Sequence, residues 1–272
     1  MLKIKTKKQG AELTSIQCNG KEMLFDGKTF WNRQSPILFP IVGRIKDSKT
    51  EIEGQIYEMS QHGFARDMEF NQIEENHYVL TYNEETLKKY PYKFELHVIY
   101  QIIEDTLQVE YQVKNIDNKK IYFGLGGHPA FSCDYSTGQY EIVFDEKEDK
   151  IKFLKLKNGL IDTEKANNIL ENNKIHLTAN IFDNDAIIMK NIKSNKVILQ
   201  SKETNKKILE FDFTGFPYLA LWSKKGAPFV CIEPWQNTAD KIDSNQIYKE
   251  KENILSIEPD EIYSCKYIVK FY

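Results

Sequence analysis

Residues 94–114 constrain what this chain can fold into more than any other stretch. Phe94, Leu96 and Val98 alternate with Glu95 and His97. After a polar break, Leu107, Val109, Tyr111 and Val113 alternate with Gln108, Glu110, Gln112 and Lys114. Residues two apart share one face of a strand, whereas a helix would scatter the same pattern around its circumference. The stretch therefore predicts half-buried antiparallel strands that turn at Glu104-Asp105-Thr106 and again at 115–119, where Asp and Asn supply turn geometry. Similar units recur at 51–59, 68–83, 140–145, 151–156, 186–200 and 207–213. Regular strands between polar turns predict an all-β chain, a large antiparallel β-sandwich or barrel. Two segments read as helices, 84–90, stopped by Pro91, and 162–170, capped by Asp162 or Thr163. Neither supports a βαβ repeat.

Sixteen Phe, 15 Tyr and 3 Trp in 272 residues provide enough large apolar surface for a substantial core, which excludes disorder. There is no linker rich in Gly, Pro or Ser, no internal repeat and no break in composition, so one domain over 1–272 is expected. A net charge of −3 argues against a nucleic-acid or membrane-surface partner held by charge. The amino terminus carries lysines but no following apolar run, which predicts a soluble, cytoplasmic protein. Cys18, Cys133, Cys231 and Cys265 are widely spaced without a CxxC pair. They indicate neither a zinc knuckle nor a disulfide framework and read as buried or free thiols. No GxGxxG or P-loop sequence supports nucleotide binding.

Of 37 basic residues only Arg33, Arg44 and Arg66 are arginine, and all fall within residues 33–66. Either this region needs the planar guanidinium fork, which lysine cannot imitate, or the cluster is chance in a lysine-rich composition. Arg44 ends the run PILFPIVGR at 36–44, whose two prolines exclude a regular central strand. It suits a substrate hydroxyl or carboxylate, against the plainer reading of a clamp on a buried carboxylate. In QHGFARD, 61–67, Gly63 allows unusual backbone beside His62, Phe64 anchors the loop, and Arg66 follows.

GLGGHPAF, 124–131, is the most specific segment. Pro129 pushes His128 out of helical geometry, and Gly126 and Gly127 let another group approach the backbone closely. Histidine titrates near neutrality, which suits a general acid or base; the competing reading is a tight bend with a core histidine. In FVCIEPWQNTAD, 229–240, Glu233 follows an apolar run and is locked by Pro234 and Trp235. Burial would raise its pKa toward that of a useful base, and Trp235 offers a flat face to a sugar or simply packs. Asp185 precedes the apolar run 186–189 and doubles as a turn residue. His77, His97 and His176 read as surface residues.

The ordered set PIVGRI, HGFAR, GGHPAF, DNDA and IEPW resembles the aldose 1-epimerase (galactose mutarotase-like) superfamily, with the nearer match to its LacX-like branch. The motifs run from about residue 36 to 240, so the resemblance covers essentially the whole chain. It implies a single antiparallel β-sandwich whose concave face binds a hexose, with no required metal or organic cofactor. Carried over residue by residue, it makes Glu233 the general base and His128 the general acid. Arg44, His62 and Asp185 become sugar ligands, with Arg66 and Trp235 as further pocket residues.

Two such groups suffice for interconverting anomers: one removes the anomeric hydroxyl proton while the other protonates the ring oxygen. Galactose mutarotases proper carry an asparagine-histidine-aromatic motif where this chain has Gly127-His128-Pro129, which leaves the sugar open. HGFAR is also similar to hexose-6-phosphate mutarotases, in which extra cations hold a phosphate. The alternatives are thus a hexose-6-phosphate 1-epimerase, a non-catalytic carbohydrate-binding or sugar-sensing sandwich, and a glycoside hydrolase using Asp185 and Glu233. A homodimer stays open. Arg33 is left with no role.

Overall fold

In the computed structural model, which describes all residues except 149–150 and 166–168, the alternating stretch forms two ten-residue strands. Phe94–Ile103 and Thr106–Asn115 pair antiparallel from Phe94 opposite Asn115 to Ile103 opposite Thr106. Glu104 takes a positive φ of 58° in the two-residue turn between them. Phe94, Leu96, Val98, Val109, Tyr111 and Val113 point to the core, as their phase requires.

These strands lie in a nine-stranded sheet. On one side of them are His77–Thr81 and Asn71–Glu74; on the other are Ile262–Phe271, Lys207–Asp212, Lys196–Ser201, Tyr140–Phe144 and Lys174–Leu177. A second sheet of eight strands runs through Leu160–Lys165, Lys152–Lys157, Ile187–Lys190, Tyr218–Trp222, Phe229–Trp235, Gly126–Gly127 and Ile37–Leu38, with Ala130–Ser132 also paired to Phe229–Trp235. All strand pairings are antiparallel. The two sheets meet through rings such as Phe131 against Phe211 at 6.0 Å and Phe271 at 6.4 Å. One buried apolar cluster takes residues from Leu2 to Phe271. This is the antiparallel sandwich that the periodicity predicts, and Ile37–Leu38, between its two prolines, lies at a sheet edge.

One predicted helix shrinks and the other is replaced. Glu84–Leu87 forms a single turn, capped by Asn83, whose side chain accepts from the backbone N–H groups of Glu85 and Thr86. In place of the expected helix at 162–170, Leu160–Lys165 is a strand paired with Lys152–Lys157; residues 166–168 of that expectation lie outside the described residues. The reason is local. Asn158 and Gly159 both have positive φ, 55° and 79°, and turn the chain back as a two-residue hairpin with Lys157 opposite Leu160. An Asn-Gly pair at such a turn is a strong hairpin signal and outweighs the helical composition that follows.

Among the described residues, no helix is long and apolar enough to cross a membrane. All four cysteines are free, three of them buried.

Candidate active site

The strand Phe229–Trp235 is buried along its whole length. On one side it pairs with Tyr218–Trp222, which places Ala220 opposite Glu233. On the other side its neighbour is broken: Gly126 sits opposite Trp235 and Ala130 opposite Cys231. Four residues separate the pairs on both strands, so His128, in the break, falls level with Glu233. The break has a sequence cause, because Pro129 cannot donate a ladder hydrogen bond. The glycines have one too. A Cβ on Gly126 would lie 3.0 Å from the Trp235 ring, and one on Gly127 would lie 2.9 Å from the Tyr111 hydroxyl, so larger residues would push the loop off its neighbours.

The outcome is a contact of 3.2 Å between His128 Nε2 and Glu233 Oε2, with Glu233 only 1% exposed. Trp235 Nε1 donates to the same carboxylate oxygen at 3.2 Å. Four carboxylates are buried among the described residues: Glu12, Glu141, Glu233 and Asp240. Three of them face lysine, in Lys7–Glu12, Lys174–Glu141 and Lys251–Asp240. Glu233 instead faces a histidine and an indole. Burial accordingly pushes its pKa well above the usual carboxylate range; the Trp235 bond opposes that shift and Asp185 adds to it. Burial also lowers His128, to about 3, with help from the positive field of Arg66. Both shifts favour the uncharged partners, a protonated Glu233 beside a neutral His128. Moving that proton to the imidazole gives the carboxylate–imidazolium form with no proton gained or lost.

Both groups open onto a cavity of about 750 Å³. His62 lines it, buried and held in a left-handed backbone conformation with φ 66°. Its backbone N–H donates to the Gly43 carbonyl at 2.8 Å, and the Gly43 N–H donates to its Nδ1 at 3.1 Å. The other ring nitrogen, Nε2, lies 3.3 Å from the Gln61 side-chain amide nitrogen, so the Gly43 backbone and the Gln61 side chain hold the ring from both ends. Burial, then His128 and the arginines, hold its pKa well below the ordinary value. The following Gly63 could carry no side chain, since a Cβ would sit 2.2 Å from the Phe39 carbonyl oxygen. Phe64 then packs among Phe39, Tyr90 and Phe94.

The remaining expected residues also line this cavity, with different degrees of freedom. Arg44 is exposed; its Nε donates to Gln61 Oε1 at 3.3 Å, and it has no ion pair among the described residues, contrary to the clamp reading. Arg66 donates through Nη2 to the Gln61 carbonyl at 2.6 Å, which ties it to the His62 loop. Burial and the nearby Arg33 lower its pKa to about 10. Asp185 is exposed and spends Oδ1 on the Ala186 N–H. Trp235 is 4% exposed and serves Glu233 as well as the wall.

Two readings of the sequence need correction. Arg33 belongs to the same cavity and is ion-paired to Asp67 at 2.7 Å, so all three arginines converge there. The other three histidines are not plain surface residues. His77 Nε2 and His97 Nδ1 lie 3.0 Å apart, and His176 bridges the buried Glu141 and Glu171. Cross-strand neighbours, invisible in a local pattern, half-bury them.

The sequence reasoning missed a second aromatic wall and two rim elements. Trp31 packs on the His128 ring at 4.8 Å and Trp222 meets it edge-on at 5.6 Å. Lys224 and the Asn158-Gly159 hairpin complete the rim. Only the hairpin had a readable local signal.

Comparison with known proteins gives the family. A family described as aldose 1-epimerase matches residues 1–254. The chromosomal LacX protein of Lactococcus lactis subsp. lactis is 34% identical over 278 aligned positions, covering 95% of this chain and 92% of that protein. A galactose mutarotase-like protein from Lactobacillus casei superposes with a TM-score of 0.93 at 29% identity, covering all of this chain and 97% of the other. A galactose mutarotase related enzyme from Lactobacillus acidophilus gives 0.90 at 27% identity, covering all of this chain and 95% of that one. Fold and similarity lead to one statement: the chain belongs to the aldose 1-epimerase family.

Proposed function

We propose that this protein is an aldose 1-epimerase that interconverts the α and β anomers of a hexose, with Glu233 as general base and His128 as general acid. The observation that carries this reading is the 3.2 Å approach of His128 Nε2 to Glu233 Oε2 on the wall of a cavity with room for a sugar. A hexose enters by parting that contact once the shared proton has passed from Glu233 to His128, which leaves the carboxylate and the imidazolium that the reaction needs. Its anomeric O–H donates to Glu233, and its ring oxygen accepts from His128. Proton transfer to the carboxylate and from the imidazolium opens the ring to the free aldehyde; rotation about the adjacent carbon–carbon bond and the reverse transfers close it with the other configuration. The residues end as they began. Each positioned group contributes roughly 10²- to 10⁴-fold. In this reading His62, Arg44 and Asp185, which line the cavity, hold the sugar hydroxyls.

The test is the approach of freshly dissolved α-glucose and α-galactose to anomeric equilibrium, followed by polarimetry or NMR. Acceleration over the buffer rate is expected. No acceleration on any common hexose or hexose 6-phosphate would reject the enzyme and leave a sugar-binding sandwich.

One observation favours a phosphorylated hexose as the second reading. Arg33, Arg44, Arg66 and Lys224 share the cavity, and Asp185 is the exposed carboxylate among its lining residues. A hexose 6-phosphate run beside the free hexose in the same assay decides between them.

A further inference from the structure

The sugar chemistry uses two members of a three-member cluster. Cys231 lies two residues before Glu233 on the same strand, so both side chains point to the same face. One ligand atom from each of His128, Cys231 and Glu233 can be chosen so that all three lie within 4.8 Å of one another, and all three residues are buried. It is the one such group among the described residues. Cys231 sits in an apolar pocket with Phe25, Ala130, Ala227 and Phe229 and has no part in the proposed proton transfers.

We propose that His128, Cys231 and Glu233 form a binding site for a thiophilic divalent cation of the zinc class, and that its occupancy switches the enzyme off. Zinc bonds of about 2.0–2.3 Å in tetrahedral geometry place ligand atoms roughly 3.3–3.8 Å apart. The histidine–glutamate contact of 3.2 Å is within about 0.1 Å of that spacing, and the wider limit of 4.8 Å closes with a shift of about 1 Å at the cysteine. A nitrogen, a sulfur and a carboxylate oxygen suit zinc or cadmium and do not suit magnesium or calcium, which take oxygen ligands. Three protein ligands also leave a fourth position, and His128 and Glu233 line the cavity, so a water or a sugar hydroxyl can fill it. On binding, the Cys231 thiol proton and the proton shared by His128 and Glu233 pass to solvent. The metal then holds the lone pairs that would otherwise move the sugar's protons. The inhibition, though not the binding, rests on the epimerase reading.

The experiment titrates the reduced, chelator-stripped full-length protein with cadmium and follows the near-ultraviolet thiolate-to-metal band, without sugar. One equivalent is expected, with no band in Cys231→Ser. Glu233→Gln keeps the thiol but loses a ligand. Since loss of an outer-shell partner already costs 10- to 100-fold in affinity, this variant should need at least about tenfold more cadmium. In a parallel anomerisation assay, zinc should stop the wild type, magnesium should not, and a chelator should restore the rate. A full band in Cys231→Ser, unchanged affinity in Glu233→Gln, or acceleration by zinc would overturn the proposal. If Cys231→Ser does not fold, the Glu233→Gln titration decides. If no sugar is turned over, the band still decides the site.

Discussion

The floor and the rim of the cavity are built in opposite ways. At the floor, Glu233 is 1% exposed, and its position follows from strand register, a proline break and two glycines packed closely against Trp235 and Tyr111. At the rim, Arg44, Asp185 and Lys224 are exposed and bond through long side chains or to their own turns. Proton transfer needs atoms held within about half an ångström, whereas hydroxyl recognition tolerates rearrangement and water. Under the proposed function, the contrast puts the reaction at the floor and the choice of sugar at the rim.

Glu233→Gln tests the floor at its centre. The amide is nearly isosteric and can still face Trp235 and His128, but it cannot take a proton. The anomerisation rate should fall by about 10²- to 10⁴-fold while sugar affinity, read by calorimetry, is largely kept. An unchanged rate would remove Glu233 from the mechanism.

Next in size is Gly63→Ala, which attacks the floor through its backbone. The added methyl meets the Phe39 carbonyl, and φ at 72° is strained for alanine, so the His62 loop must shift. A loss of about 1–3 kcal/mol is expected, seen as a melting temperature lowered by several degrees together with weaker sugar binding. Wild-type melting with normal binding would show that the loop yields without cost and that His62 is not held as described.

What the sequence made legible follows the same division. The strands at 94–115 were readable because burial on one face imposes a period of two, and Glu233 and His128 because proline and glycine punctuate their segments. Their meeting was not readable, since Gly126 opposite Trp235 is a pairing over more than 100 residues. Asn158-Gly159 carried a hairpin signal that the helical composition after it obscured. Arg33, Trp31 and Lys224 stand in irregular segments without periodicity, so nothing local reports which cavity they face.

A smaller effect is expected where floor and wall meet. Trp235→Phe keeps an aromatic wall but removes the Nε1–H that Glu233 accepts. Losing one buried hydrogen bond costs about 1–2 kcal/mol, roughly five- to thirtyfold in kcat/KM. The loss should lie mainly in kcat, because the bond steadies the base and not the sugar. A loss confined to KM would make Trp235 a sugar platform instead.

The smallest effect belongs to the rim. Arg44 is exposed and has no ion pair among the described residues, so Arg44→Ala leaves no buried charge behind and should not disturb folding. An exposed polar contact is worth about 0.2–1 kcal/mol, so KM for a free hexose should rise by no more than about fivefold with kcat nearly unchanged. The informative quantity is the ratio between substrates. If the cationic rim serves a phosphate, the same substitution should raise KM for hexose 6-phosphate by a larger factor than for the free hexose, and added salt should mimic it. Equal factors for both sugars would make Arg44 a hydroxyl ligand. A fall in kcat without a change in KM would break the division between floor and rim, because a flexible, exposed guanidinium would then be acting on the proton transfers themselves.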